Sequence, residues 1–329
     1  VKLHHALSSL FASAVLILSS GCAPKTPLPS DKHHSSSAIK VPFVAPRSEL
    51  CASSSIEMLS LYWQSAGTYL PRLSLAELDS RTLIPAKGGT LQIELIAAAR
   101  ADGLLAYPLE PTFEALFSQL EAGHPVVVLL NRAYSWYPLW HYAPITGYDA
   151  KAQTIRMHYA DTPDEAVPIG TFAALWERSG NWGVVLLPPT ELPASANAEK
   201  FLHAAYDLEK TGMRAEAITA YETALLRWPE DTSLLFAAGN AYYASHHLSR
   251  AEQHYRKIVR IDPLHSLALN NLADLLCRSG RSEEALELLD QAKSSDAPTQ
   301  ALIKATREEI GRGCEPLPES VHDAMQTPQ

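Results

Sequence analysis

Three side chains spread over the first half of the sequence are of types that together could break an acyl bond: Cys51, His141 and Asp161. A cysteine attacks carbonyl carbon as its thiolate, and a helix N-terminus favours the thiolate because its unpaired N–H groups carry partial positive charge. Residues 52–65 read as a helix that opens directly after Cys51, with Ile56, Leu59 and Trp63 at helical spacing. His141 follows the loop 132–140 at the head of an apolar strand, where an imidazole can take or return the thiol proton. Asp161, just past the next strand, is placed to orient that imidazole. Asp164 and Asn181 are alternatives for this third role, since Thr162, Pro163 and Asp164 read equally well as a turn. Met157, Trp136 and Trp140 are candidates either for lining a substrate groove or for packing.

These groups need a scaffold, and residues 41–190 supply the pattern of one. The glycines and threonine at 88–90 start a second helix that runs to about 101 and closes at Gly103, and Thr112 can cap a third that ends at Gly123. Strands follow at 126–130, 141–148 and 154–159, then a helix over 171–179 and an apolar run at 184–187. Helices first and antiparallel strands afterwards predict an α+β domain.

From 198 to 311 the sequence repeats itself. Pro229 and Pro263 stand 34 residues apart, as do Ala217, Ala251 and Ala285 in succession, and Tyr221, Tyr255 and Leu289 keep the same step. Ala205, Gly239 and Ala273 supply small residues where paired helices must approach closely. This period and these columns resemble the TPR family and predict about three helical repeats stacked as an all-α solenoid. A concave face carrying Asn240, Tyr243 and Asn270 would take an extended peptide or a protein partner.

The order Cys, His, Asp agrees with papain-like enzymes, and the segments around these residues resemble the bacteriocin-processing, double-glycine leader peptidase family. The resemblance rests on Val41-Pro42-Phe43 ahead of Cys51, on the run from Trp140 through His141 to Asp149, and on Asp161 followed by Thr171-Phe172 and Trp176. With the repeats, the chain looks most like a lipoprotein branch of that family. The resemblance implies a papain-like cysteine-peptidase fold over 41–190 and a catalytic set of Cys51, His141 and Asp161. It also implies a protein or peptide substrate and no cofactor. Two features depart from the family. Ala52-Ser53 stand where Gly-Pro is usual after the cysteine, and Pro46 stands where a glutamine normally helps build the oxyanion hole. The backbone N–H of Cys51, with Ser48 or Ser53, would have to supply donors instead. Two other functions stay open: an inactive peptidase-like domain serving with the repeats as a scaffold, and a cysteine acyltransferase.

The N-terminus carries its own signal. Lys2, an apolar run over 10–18 and then Ser19-Ser20-Gly21-Cys22 read as a signal peptide over 1–22 whose end resembles a lipobox. That resemblance implies lipid on Cys22 and attachment to a bacterial envelope membrane, on the periplasmic face of the outer membrane if the cell is Gram-negative. Val1 is what a GTG start codon would give. Residues 23–40, rich in Pro, Ser, Lys and His, read as a flexible tether, and 312–329 as a C-terminal tail. His33-His34 has no second ligand cluster at metal-binding spacing, so no metal is expected. A net charge of −9 argues against a nucleic-acid partner. Of the four cysteines, Cys22 is assigned to lipid, Cys51 is expected free, and Cys277 and Cys314 are left as a candidate pair.

Overall fold

The structure, a computed structural model, describes residues 36–46 and 50–315. The signal peptide, Cys22, most of the tether, Ser48 and most of the C-terminal tail lie outside the described residues. Contacts divide the chain into two compact units. The first holds 74–95 and 108–186 with the N-terminal segment up to 66, and the second holds 67–73, 96–107 and everything from 187 onward.

The first unit is α+β, as its mixture of periodicities predicts. Helix α1 (Cys51–Ser65) is followed by α2 (Leu75–Thr82), by α3 (Gln92–Ala101), which passes into the second unit at Ile96, and by α4 (Phe113–Glu121). Ser74 and Glu77 close a reciprocal capping box on α2, and the Thr112 side chain accepts from the Ala115 N–H to start α4. The unit's strands are β1 (Ser37–Ala38), β3 (Val126–Asn131), β4 (Trp140–Asp149), β5 (Thr154–Tyr159), β6 (Thr162–Pro168) and β7 (Gly183–Leu187), while Leu105, Ala106 and Tyr107 of β2 (Leu105–Pro108) belong to the second unit. Helix α5 (Ile169–Glu177) leads from β6 towards β7.

Within this unit the antiparallel order is β7-β3-β4-β5-β6. β1 adds to the end of β4 that β3 does not reach, pairing Ser37 with Tyr148 and Ala38 with Gly147. Only glycine fits at 147, because a Cβ there would stand 2.1 Å from the Ser37 carbonyl oxygen. β3 and β7 are buried along their whole length, whereas β6 is mostly exposed and carries Pro163 and two acids. Those are features of an edge strand that resists further pairing. Helix α1 packs on β4 and is fixed by the Trp63 indole N–H, which donates to the Leu186 carbonyl at 2.9 Å.

The second unit is a helical array: α6 (Ala198–Lys210), α7 (Arg214–Arg227), α8 (Thr232–Ala244), α9 (Leu248–Ile261), α10 (Ser266–Arg278), α11 (Ser282–Gln291) and α12 (Ala297–Arg312). Its core repeats the columns of the sequence, with Ala205, Ala217, Tyr221, Ala251, Tyr255, Ala273, Ala285 and Leu289 all buried. Leu105 and Tyr107 of β2 join the same core. The small residue at 239 is needed, since a Cβ there would lie 2.7 Å from the Tyr255 ring. Cys277 and Cys314 are joined by a disulfide that ties the chain just beyond α12 to α10.

Asn240, Tyr243, Tyr255, Asn271 and Asp274 line a cavity of about 280 Å³ on this array. Asn270, expected on the concave face, is instead buried at 3% exposure, and its neighbour Asn271 faces the cavity. On a helix, a shift of one residue rotates a side chain by about 100°, so an error of one position separates groove from core. The Asn271 amide and the Tyr255 hydroxyl both donate to the Asn240 side-chain oxygen, at 2.9 and 2.7 Å, which presents the two asparagines as a fixed polar pair.

Candidate active site

Cys51 is the first residue of α1, and among the described cysteines it is the free one. The residue before it, Leu50, offers no side-chain cap, and the first turn holds no acidic residue. The first-turn N–H groups are therefore not claimed by a carboxylate and stand beside the sulfur. The Tyr142 N–H also reaches Sγ, at 3.5 Å. Burial pushes the Cys51 thiol above its ordinary value, while the N–H groups of Tyr142, Cys51 and Ala52 and the Arg132 charge pull the other way. Burial wins, and the resting group is a thiol.

His141 is the second residue of β4, opposite Leu130 of β3, and is 8% exposed. Its Nε2 accepts the Ala160 N–H at 3.1 Å, so the ring proton sits on Nδ1. The Tyr159 ring meets the imidazole edge-on at 5.3 Å, and the Arg132 guanidinium lies 4.9 Å over that ring. Burial first, and the Arg132 charge second, lower the His141 pKa to about 4. Cys51 and His141 line one narrow cleft with Pro46, Ser54, Ser55, Met58, Tyr142, Pro144, His158 and Ala160, enclosing about 10 Å³. No hydrogen bond joins Cys51 to His141 among the described residues.

Asp161 follows Ala160, whose φ of 51° is in the left-handed region. Its carboxylate is exposed and accepts from the Thr162 hydroxyl at 3.4 Å; it does not line the cleft. Of the two alternatives, Asp164 accepts from Thr146 and Arg156, and the Asn181 amide donates to the Pro111 carbonyl. Neither lines the cleft. Met157 is wholly buried and belongs to the core rather than to a groove. Trp136, 81% exposed, stacks on Tyr134 in the loop that leads to Trp140 and His141. The loop is held from below by the Asn131 side chain, which accepts from the Ala133 and Leu139 N–H groups and donates to the Tyr134 carbonyl.

Among the cleft residues that sequence reasoning missed are His158 and Ser54. His158 is buried, bonds the Val41 carbonyl through Nε2 at 2.9 Å and accepts the Asp164 N–H through Nδ1 at 3.0 Å. Both its nitrogens are occupied, so it fixes the segment before α1 against β5. The sequence carries no signal for it: in Thr154–Tyr159 the inward alternation runs through Ile155 and Met157, and His158 is out of phase with it. Ser54 is the other, three residues along α1 from Cys51, which is the helical spacing that shares a face.

Comparison with known proteins agrees with this division. Residues 38–184 match the Peptidase_C39 like family, and residues 202–264 and 236–301 match the tetratricopeptide repeat. No curated protein matches the chain. Among solved structures, a protein described as a C39-like peptidase from Bacillus anthracis is 17% identical, with a TM-score of 0.39 over 46% of this chain and 98% of that one. A mutant of MamA is 20% identical, with a TM-score of 0.30 over 36% of this chain and 70% of that one. The chain thus joins an α+β domain similar to the Peptidase_C39 like family to a tetratricopeptide-repeat array.

Proposed function

We propose that the α+β domain is a cysteine peptidase that hydrolyses a peptide or other amide bond, with Cys51 as nucleophile and His141 as its proton partner. The observation that carries the reading is the shared cleft: a helix N-terminus brings the thiol, and the head of β4 brings the imidazole, to one small space. Both groups rest uncharged, so the proton leaves Sγ as the sulfur attacks rather than beforehand. His141 is neutral above about pH 4, and it receives that proton at Nδ1 once its own ring proton has moved to Nε2. Once protonated, the imidazole has a hydrogen on both nitrogens, and an Nε2–H cannot face the Ala160 N–H. Asp161, the next residue, is the carboxylate proposed to replace that N–H and hold the imidazolium. The tetratricopeptide repeats would bind the substrate or a partner protein, and lipid on Cys22 would keep the enzyme at an envelope membrane.

An inactive, scaffolding domain is the second reading. It is favoured by Pro46, which lines the cleft and offers neither N–H nor polar side chain where a donor is required. An acyltransferase would use the same Cys51 chemistry with a different acceptor. The test is acylation of the full chain by p-nitrophenyl acetate, followed by mass and by nitrophenolate release. A burst at Cys51 followed by turnover, lost in Cys51→Ala and slowed in His141→Ala, supports the hydrolase. Absence of any Cys51 adduct in the wild type leaves the scaffold.

A further inference from the structure

The Ser54 side chain is 1% exposed, and its Oγ has no hydrogen-bond partner among the described residues. Leaving a buried hydroxyl unpaired costs about 1–3 kcal/mol, and such an atom in a folded protein asks for an explanation. Its neighbours on α1 show what satisfied serines do here. Ser53 donates within reach of Asp79 and the Leu50 carbonyl, and Ser55 donates to the Cys51 carbonyl at 2.7 Å. Ser54 alone of the three has an unspent hydroxyl, and it lines the cleft that holds Cys51 and His141. That space, about 10 Å³, is the size of one oxygen-bearing group. Pro46, on the same cleft, cannot donate to such a group.

We propose that Ser54 is a catalytic residue whose hydroxyl, together with the Cys51 N–H, forms the oxyanion hole. The inference rests on the cysteine-hydrolase reading. It makes the substrate an acyl compound whose carbonyl oxygen enters the small cavity while its carbon meets Sγ. As the S–C bond forms, the carbonyl π pair moves onto oxygen, the thiol proton passes to His141, and Ser54 O–H and Cys51 N–H donate to the oxyanion. Collapse re-forms the carbonyl and expels the amine or alcohol, which takes the proton from His141. Water then attacks the thioester by the same path and restores the thiol. This assignment replaces Ser48 and Ser53, the serines singled out from sequence as extra donors: Ser53 is committed to Asp79 and Leu50, and Ser48 lies outside the described residues.

The test compares two reagents at Cys51 of the full chain. p-Nitrophenyl acetate reacts through a tetrahedral oxyanion, whereas iodoacetamide alkylates by displacement at a saturated carbon and forms none. Ser54→Ala should slow acylation by about 10²-fold, the effect of removing one oxyanion donor, and leave alkylation within about two-fold of wild type. Ser54→Thr, which keeps the hydroxyl, should recover most of the acylation rate. Equal loss in both reactions would mean that Ser54 acts on the thiol or the fold, and unchanged rates in both would mean that it acts on nothing; either overturns the proposal. A wild type that is alkylated but never acylated would instead remove the hydrolase reading on which it rests.

Discussion

The charge state of the resting pair sets how Cys51 should respond to pH. Burial raises the thiol, and burial with the Arg132 charge brings His141 from 6.5 to about 4, a gap of about 3 kcal/mol against forming the imidazolium in the cleft. At pH 7 about one imidazole in a thousand would be protonated. An ion pair formed before substrate arrives is therefore not the resting state, and alkylation of Cys51 should follow the small thiolate fraction. Its rate with iodoacetamide should climb about tenfold per pH unit from 7 to 9 and keep rising beyond the ordinary cysteine range. The assay is timed quenching with mass analysis of the Cys51 peptide, run beside an NMR titration of the imidazole. A flat alkylation rate between pH 5 and 8, or a His141 midpoint at or above 6.5, would refute the reasoning. The sign for stability follows from the same values. The unfolded chain takes up a proton at 6.5 and the native site only near 4, so His141 costs no stability above 6.5 and progressively destabilises the first unit as pH falls from 6.5 towards 4.

Other perturbations test the frame that holds the site. Gly147→Ala drives a methyl into the Ser37 carbonyl and should detach β1, at about 1–3 kcal/mol of stability in chemical denaturation. Gly239→Ala overpacks Tyr255 in the helical array by a similar amount, read as a lower Tm of the array with Cys51 labelling unchanged. Cys314→Ser opens a loop of 37 residues and should cost about 3–4 kcal/mol on the loop-entropy estimate, seen as faster hydrogen exchange in α10 and α12. Asn131→Ala removes the three hydrogen bonds that hold the loop after β3, and protease cleavage within 132–140 should become faster than in wild type.

What was legible in the sequence was what local periodicity encodes. Helix α1 and the 34-residue columns announce themselves by apolar residues at a fixed spacing, and β3 and β4 by runs rich in apolar residues that are buried on both faces. Strand β6 did not: Thr162 to Pro168 is polar and mostly exposed, so it reads as a turn, and only its pairing with β5 makes it a strand. Ser74 with Glu77 three residues on is a legible helix start, and it caps α2. The site divides along the same line. Cys51 and His141 lie at element starts, and element starts can be found from pattern. The partner of the imidazole is harder, because a shift of one residue decides whether the Ala160 N–H or the Asp161 carboxylate faces Nε2, and a positive φ at Ala160 has no signature in an alanine. Ser54 is harder still. Among three consecutive serines no composition rule separates the one with a free hydroxyl; that follows from Leu50 and Asp79 claiming Ser53 and the Cys51 carbonyl claiming Ser55. A residue's chemistry at this site is set by which bonds its neighbours have already made: two of these lie within α1 and its cap, and the third needs Asp79 of α2 in place.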